Sequence, residues 1–147
     1  MIWLYLLLAV AAGVMLPLQY GINAQLAHWL GSPIRAAFVS FLVGMLALLV
    51  ISAFVRKPLP SAARLGQVPW WVWIGGLLGA FYVTGSIFTA PHLGAVTLTA
   101  AIVAGQALAS ALVDQFGWVG FEEHHLTPGR GIGILLVGVG IAFVRLF

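Results

Sequence analysis

Apolar residues run along this chain in blocks longer than any element of a water-soluble domain, with the polar residues gathered between them. No Asp, Glu, Lys or Arg occurs before Arg35. As helix, at about 1.5 Å per residue, that stretch is roughly 50 Å long, against a bilayer hydrocarbon core of roughly 30 Å. One crossing with a kink or a projecting end accommodates it. The kink is expected at Pro17, which removes a backbone donor and crowds the preceding turn. The sequence becomes polar directly afterwards: Gln19, Tyr20, Gly21, Asn23, Gln25. The first span is therefore expected over about 2–29. Gly31-Ser32-Pro33 reads as a turn, with Ser32 as helix cap and Pro33 as first helical residue, opening a second span over 34–55.

Arg56 to Gln67 carries three positive charges and two prolines and reads as a water-exposed loop. From Leu65 to Val113 the chain again lacks any Asp, Glu, Lys or Arg. A single helix of that length would measure roughly 70 Å, more than two membrane thicknesses, so the chain must break within it. Pro91-His92-Leu93-Gly94 is the strong breaker there, placing a third span at 68–89 and a fourth at 94–116. Residues 117–128 hold both glutamates and two histidines and form a second polar loop. A fifth span is expected over 127–146; only 14 residues separate Arg130 from Arg145, but both side chains can snorkel to the headgroups. The expected fold is all-α: one transmembrane domain over 1–147 with five helices.

Composition agrees with a lipid solvent. Of 147 residues, 63% are hydrophobic and 6% charged, and the mean hydropathy is +1.13. So few charges cannot cover a water-facing surface, for which roughly a quarter of residues is usual. The absence of cysteine removes disulfides, thiolate metal sites and Cys nucleophiles. The net charge of +3 lies in Arg35, Arg56, Lys57, Arg64, Arg130 and Arg145, at helix ends and without interleaved aromatics, which excludes a nucleic-acid stripe. The opening apolar run lacks the basic segment of a signal peptide, and similar runs recur to the C-terminus, so Met1 onward is expected in the mature chain. With five crossings, one side collects Arg56, Lys57, Arg64 and Arg130, and the other Arg35 and Arg145. The excess favours a cytoplasmic N-terminus, yet it is small enough to leave dual topology, insertion in both orientations, open.

Small residues at helix-packing spacing (Gly75 with Gly79, Gly76 with Ala80, Gly129 with Gly133) suit close contact between helices in lipid. Trp70, Trp71 and Trp73 after Pro69 suit an aromatic belt. The candidate chemistry lies in the polar residues inside apolar helices, because a buried amide or carboxylate in hydrocarbon is costly unless partnered. Gln19 and Asn23 share a face beside Pro17, with Tyr20 next to them; they read either as a solute site or as interhelical glue. Ser40 and Gly44 share a face of the second span. Gln106, Ser110 and Asp114 make a stripe on the fourth, with Thr99 further along. Asp114, the one acid within a span, is the candidate for proton or cation coupling, or a helix-end carboxylate touching water. His124 and His125 with Glu122 and Glu123 read as a solvated loop rather than a metal site. No HExxH motif, nucleophile elbow, Walker loop or dinucleotide fingerprint is present, so neither an enzyme nor a cofactor is expected.

The segments Leu16-Pro17-Leu18-Gln19-Tyr20-Gly21-Ile22-Asn23-Ala24-Gln25-Leu26, Ser40-Phe41-Leu42-Val43-Gly44, Pro69 through Ala80, and Gly105-Gln106 followed by Asp114-Gln115-Phe116-Gly117 together resemble the YdcZ family. That is a family of unknown function in the drug/metabolite transporter (DMT) superfamily, made of bacterial inner-membrane proteins of about this length. The resemblance implies a five-helix half-unit of a ten-helix transporter formed by antiparallel dimerisation, with the solute between subunits. By that analogy helices 1 to 4 line the solute, and the polar positions read above, Gln19, Tyr20, Asn23, Ser40, Gln106 and Ser110, are the candidate contacts. The small multidrug resistance proteins use a glutamate in the first helix to exchange protons for cations. Here that helix holds only Gln19, Asn23 and Gln25, so this chemistry does not carry over. The expected function is a small-molecule exporter working by alternating access as an antiparallel homodimer in the inner membrane; the alternative is a non-transporting membrane scaffold or a subunit of a hetero-oligomeric complex.

Overall fold

The first apolar block forms one helix, α1 (Ile2–Leu30), which continues through Pro17. The computed structural model describes residues 2–55, 58 and 60–146. Gly31, at φ 64°, ends α1 in the left-handed region that glycine enters without a Cβ penalty. The amide of Gly31 donates to the His28 carbonyl (3.4 Å) and that of Ser32 to the Ala27 carbonyl (3.1 Å), a Schellman closure. Ser32 then caps α2 (Pro33–Phe54): its hydroxyl accepts from the Arg35 amide, and Pro33 stands where a missing N–H costs nothing. The Arg35 guanidinium donates to the Leu30 carbonyl at 3.3 Å, satisfying a further helix-end acceptor. Two residues thus join α1 and α2 as neighbouring, antiparallel helices.

Of the basic loop, Arg56, Lys57 and Leu59 lie outside the described residues. The rest includes a one-turn helix, α3 (Ala62–Leu65), capped by Ser61. Trp70–Ile74 form a 3-10 turn in which Trp70, Trp71 and Trp73 are exposed. The turn leads into α4 (Gly75–Phe116), whose one interruption is Gly94 at φ 72°, ψ 166°. That backbone region is open essentially to glycine alone, so the break falls at Gly94 rather than at Pro91, which ends its own turn within the helix. The apolar stretch Trp70–Phe116 is 47 residues long. At roughly 70 Å it exceeds twice the hydrocarbon thickness, and the break leaves two arms that are each of spanning length. Gly117 and a short 3-10 turn (Trp118–Gly120) precede the second loop, and Thr127 caps α5 (Pro128–Leu146) through the Arg130 amide at 3.3 Å. Among the described residues there is no strand, and the apolar helices account for the expected five crossings, two of them within α4.

Two compact units divide the chain, one ending at Pro91 and one beginning at His92. In the first, packing concentrates at the α1–α2 hairpin. Ala36 and Ala37 are 0% and 5% exposed and cluster with Val83 and Ile87 of α4, flanked by Leu26, Ala27 and Tyr82. Alanine at this crossing lets backbones approach, the main source of helix association in lipid. Away from it, α1 as far as Met15 and α2 from Phe41 onward are exposed throughout. In the second unit the 117–128 loop is tied back to the end of α4.

Candidate functional site

Because the first unit packs tightly only at one end, a groove of about 550 Å³ opens beside α2. Its wall is two adjacent rows of that helix, Ser40, Gly44, Leu48 and Ser52, and the parallel row from Phe41 to Leu49. Gln19 of α1 and Val83 of α4 complete it. The surface is chiefly apolar, with Gln19, Ser40 and Ser52 as its polar groups and no ionisable side chain. Gly79 makes room for Phe41, whose ring edge would lie 3.5 Å from a Cβ placed there. At the other glycines of the packing motifs, Gly75, Gly76, Gly129 and Gly133, an added Cβ would meet nothing within 4 Å. Ser52 donates to the Leu49 carbonyl at 2.8 Å, the usual way for a hydroxyl to be satisfied in an apolar helix.

The first unit also holds polar side chains that are not part of the groove wall. Tyr20 is 2% exposed, and its hydroxyl is 2.7 Å from that of Tyr82, with the rings edge-to-face at 6.4 Å. Ser86 donates to the Val83 carbonyl at 2.8 Å and Thr89 to the Gly85 carbonyl at 2.8 Å, within the first arm of α4. Asn23, one turn from Gln19 and 4% exposed, differs: its Nδ2 finds no hydrogen-bond partner among the described residues. Of the sequence candidates, the structure thus brings Gln19 and Ser40 to the groove and buries Tyr20 and Asn23. Tyr82 was not among those candidates. The signal available was a lone phenol in an apolar run, whose hydroxyl must find a partner in lipid.

The stripe on the second arm of α4 behaves otherwise. Gln106 and Ser110 are exposed, and Thr99 has a buried hydroxyl oxygen without a partner among the described residues. Ser110 and Asp114 line a smaller groove of about 350 Å³ with His124, Arg130, Gly133 and Val137. Asp114 accepts from Arg130 Nη1 at 3.4 Å, and the same nitrogen donates to the His124 carbonyl at 3.3 Å. The His124 amide returns to the Asp114 carbonyl at 2.8 Å, while Gln115 Oε1 accepts from the Leu126 amide at 2.7 Å and its Nε2 meets His125 Nδ1 at 3.2 Å. The carboxylate therefore holds the loop end through Arg130. Gly117 permits the loop's entry: at φ 60°, a Cβ there would sit 2.8 Å from the Glu123 side chain. Among the described residues no three metal-ligating side chains come together.

Helices long and apolar enough to span a bilayer, enclosing an uncharged groove and buried polar side chains, define a multi-pass α-helical membrane protein. The comparison with known sequences makes the assignment specific. Residues 4–143 match the family described as "Putative inner membrane exporter, YdcZ", and the chain belongs to that family. It is 30% identical over 139 residues to the inner membrane protein YdcZ of Escherichia coli (strain K12), covering 94% of this chain and 93% of that one. No solved structure matches. The chain is thus an inner membrane protein of a family described by transport rather than by catalysis.

Proposed function

We propose that this chain is a DMT-type exporter subunit that carries small solutes by alternating access as an antiparallel homodimer, two five-helix copies making a ten-helix carrier. The observation that carries the reading is the groove: a cavity of about 550 Å³ along α2, with Gln19 and Ser40 on its wall, falls within the roughly 300–1,000 Å³ of small-molecule sites. In this reading Gln19, Tyr20, Asn23 and Ser40 are the solute-contact candidates of the first unit, Gln106 and Ser110 those of the second, and Asp114 is the coupling group, released when Arg130 lets go. The long exposed stretches of α1 and α2 are the surface that lipid and the second copy cover, and the weak asymmetry of basic residues suits a chain made in both orientations.

Two experiments test it. Cells expressing the chain, loaded with the neutral dye Nile red or the cation ethidium, should lose at least one dye faster than cells lacking it; equal loss of both dyes overturns export. The chain has no native cysteine, so a Gln67→Cys variant reports its orientation. Labelling from both faces of the membrane is expected, and labelling from a single face would rule out the antiparallel homodimer.

A further inference from the structure

We infer that the smaller groove is a binding site for a phosphatidylethanolamine lipid, with one acyl chain between the second arm of α4 and α5, the phosphate on Arg130 and the ammonium on Asp114. The inference goes beyond the export reading and does not depend on it; a solute contacting Ser110 would displace the acyl chain.

Two observations carry it, the first being shape. One face of each helix lines the groove, from Ala107 to Asp114 on α4 and from Arg130 to Val137 on α5. Small residues on facing helices normally draw the backbones together in lipid. Here they leave about 350 Å³ open, and a Cβ added at Gly133 would meet nothing within 4 Å. In a bilayer hydrocarbon fills such a gap, because an unfilled one forfeits the dispersion contacts of its walls. From Arg130 to Val137 the groove runs about 10 Å along α5, long enough to seat the first part of an acyl chain.

The second observation is the charge at one end. Asp114 stands in the last turn of α4 and Arg130 in the first turn of α5, so the charged end lies where both spans reach the headgroups. A single contact of 3.4 Å joins the two side chains, which are 33% and 47% exposed. The guanidinium spends only Nη1, on Asp114 Oδ2 and the His124 carbonyl, so Nη2 and Nε keep their N–H donors without a partner among the described residues. Asp114 Oδ1 likewise accepts nothing there. A guanidinium with a free edge suits two oxygens of a phosphate, and a free carboxylate oxygen suits a cation that donates. A simple anion at this place is repelled by Asp114 and a simple cation by Arg130. A zwitterion set head to tail against the pair meets neither penalty. Ethanolamine brings N–H donors for Asp114, whereas the quaternary ammonium of choline has none.

The test is native mass spectrometry of the full-length protein in detergent, with dimyristoyl phosphatidylethanolamine, phosphatidylcholine and phosphatidylglycerol in competition. The first is expected to bind about tenfold more tightly than either other lipid, the worth of one charge-assisted hydrogen bond. Equal or tighter binding of phosphatidylcholine, or of phosphatidylglycerol, overturns the inference. Asp114→Asn should erase the preference for ethanolamine over choline, and Arg130→Gln should weaken all three lipids; a wild-type pattern in both variants shows that the lipid sits elsewhere. Gly133→Leu fills the gap and should weaken all three lipids without changing their order, so unchanged affinity refutes the placement of the chain. The unaltered protein gives a check that needs no variant to fold. Mono- and dimethylated ethanolamine headgroups keep an N–H and should bind closer to phosphatidylethanolamine than to phosphatidylcholine, and a flat series overturns the contact with Asp114. Displacement of the lipid by millimolar O-phosphoethanolamine would show that the headgroup alone is the ligand, and would remove the lipid as occupant.

Discussion

Replacing Tyr82 by Phe should destabilise the protein more than replacing Tyr20 by Phe, although both changes delete one oxygen from the same hydrogen bond. The two hydroxyls are 2.7 Å apart, but their surroundings are unequal: Tyr20 is 2% exposed, whereas Tyr82 is only partly buried. Tyr82→Phe leaves the Tyr20 hydroxyl in an apolar interior with nothing to bond, at a cost of about 1–3 kcal/mol. Tyr20→Phe leaves the Tyr82 hydroxyl able to find another partner, and only the net worth of the bond is lost, about 0.5–1.5 kcal/mol. The edge-to-face packing of the rings at 6.4 Å survives either change, because phenylalanine keeps the ring. In the double variant no hydroxyl is stranded, so it should be more stable than Tyr82→Phe alone. The measurement is reversible unfolding in mixed detergent micelles, followed by tryptophan fluorescence as a double-mutant cycle. Additive losses, or Tyr20→Phe as the costlier single change, would refute the pairing and the burial asymmetry on which the reasoning stands.

Two further variants probe the second unit. Gly117→Ala places a Cβ 2.8 Å from the Glu123 side chain at a backbone φ of 60°, and should cost about 1–3 kcal/mol by strain alone, seen as a lower melting temperature. Arg130→Ala removes the ion pair with Asp114, whose side chains are 47% and 33% exposed; solvent screening limits the stability loss to about 0–1 kcal/mol. Amide exchange over residues 121–126 should nevertheless quicken, since the same guanidinium holds the His124 carbonyl; unchanged exchange there would show that Gln115 alone holds the loop.

The lipid environment and the helix ends followed from the sequence alone, because each depends on local chemistry. Charge-free runs longer than a bilayer is thick leave no alternative solvent, and Gly31, Ser32 and Pro33 each act through the backbone of their own turn. Gly94 shows the limit of such reasoning. Pro91 and Gly94 both break helices, and only the tertiary backbone reveals that the chain carries Pro91 within a helical turn and spends its one non-helical residue at the glycine. The same limit applied to the polar residues. That Gln19, Tyr20 and Asn23 share a region of α1 was readable from their spacing. That Tyr20 is satisfied by Tyr82, 62 positions away, while Asn23 Nδ2 is left open was not, since pairing depends on which helices meet. Asp114 makes the point again: it stood out as the acid in a span, and the returning loop supplies its partner, Arg130. Sequence therefore determined the solvent, the helices and their caps, which are set within a few residues. The tertiary structure decided which buried groups are spent on one another and which remain free, because hydrogen bonds between helices are set by packing that no local pattern encodes.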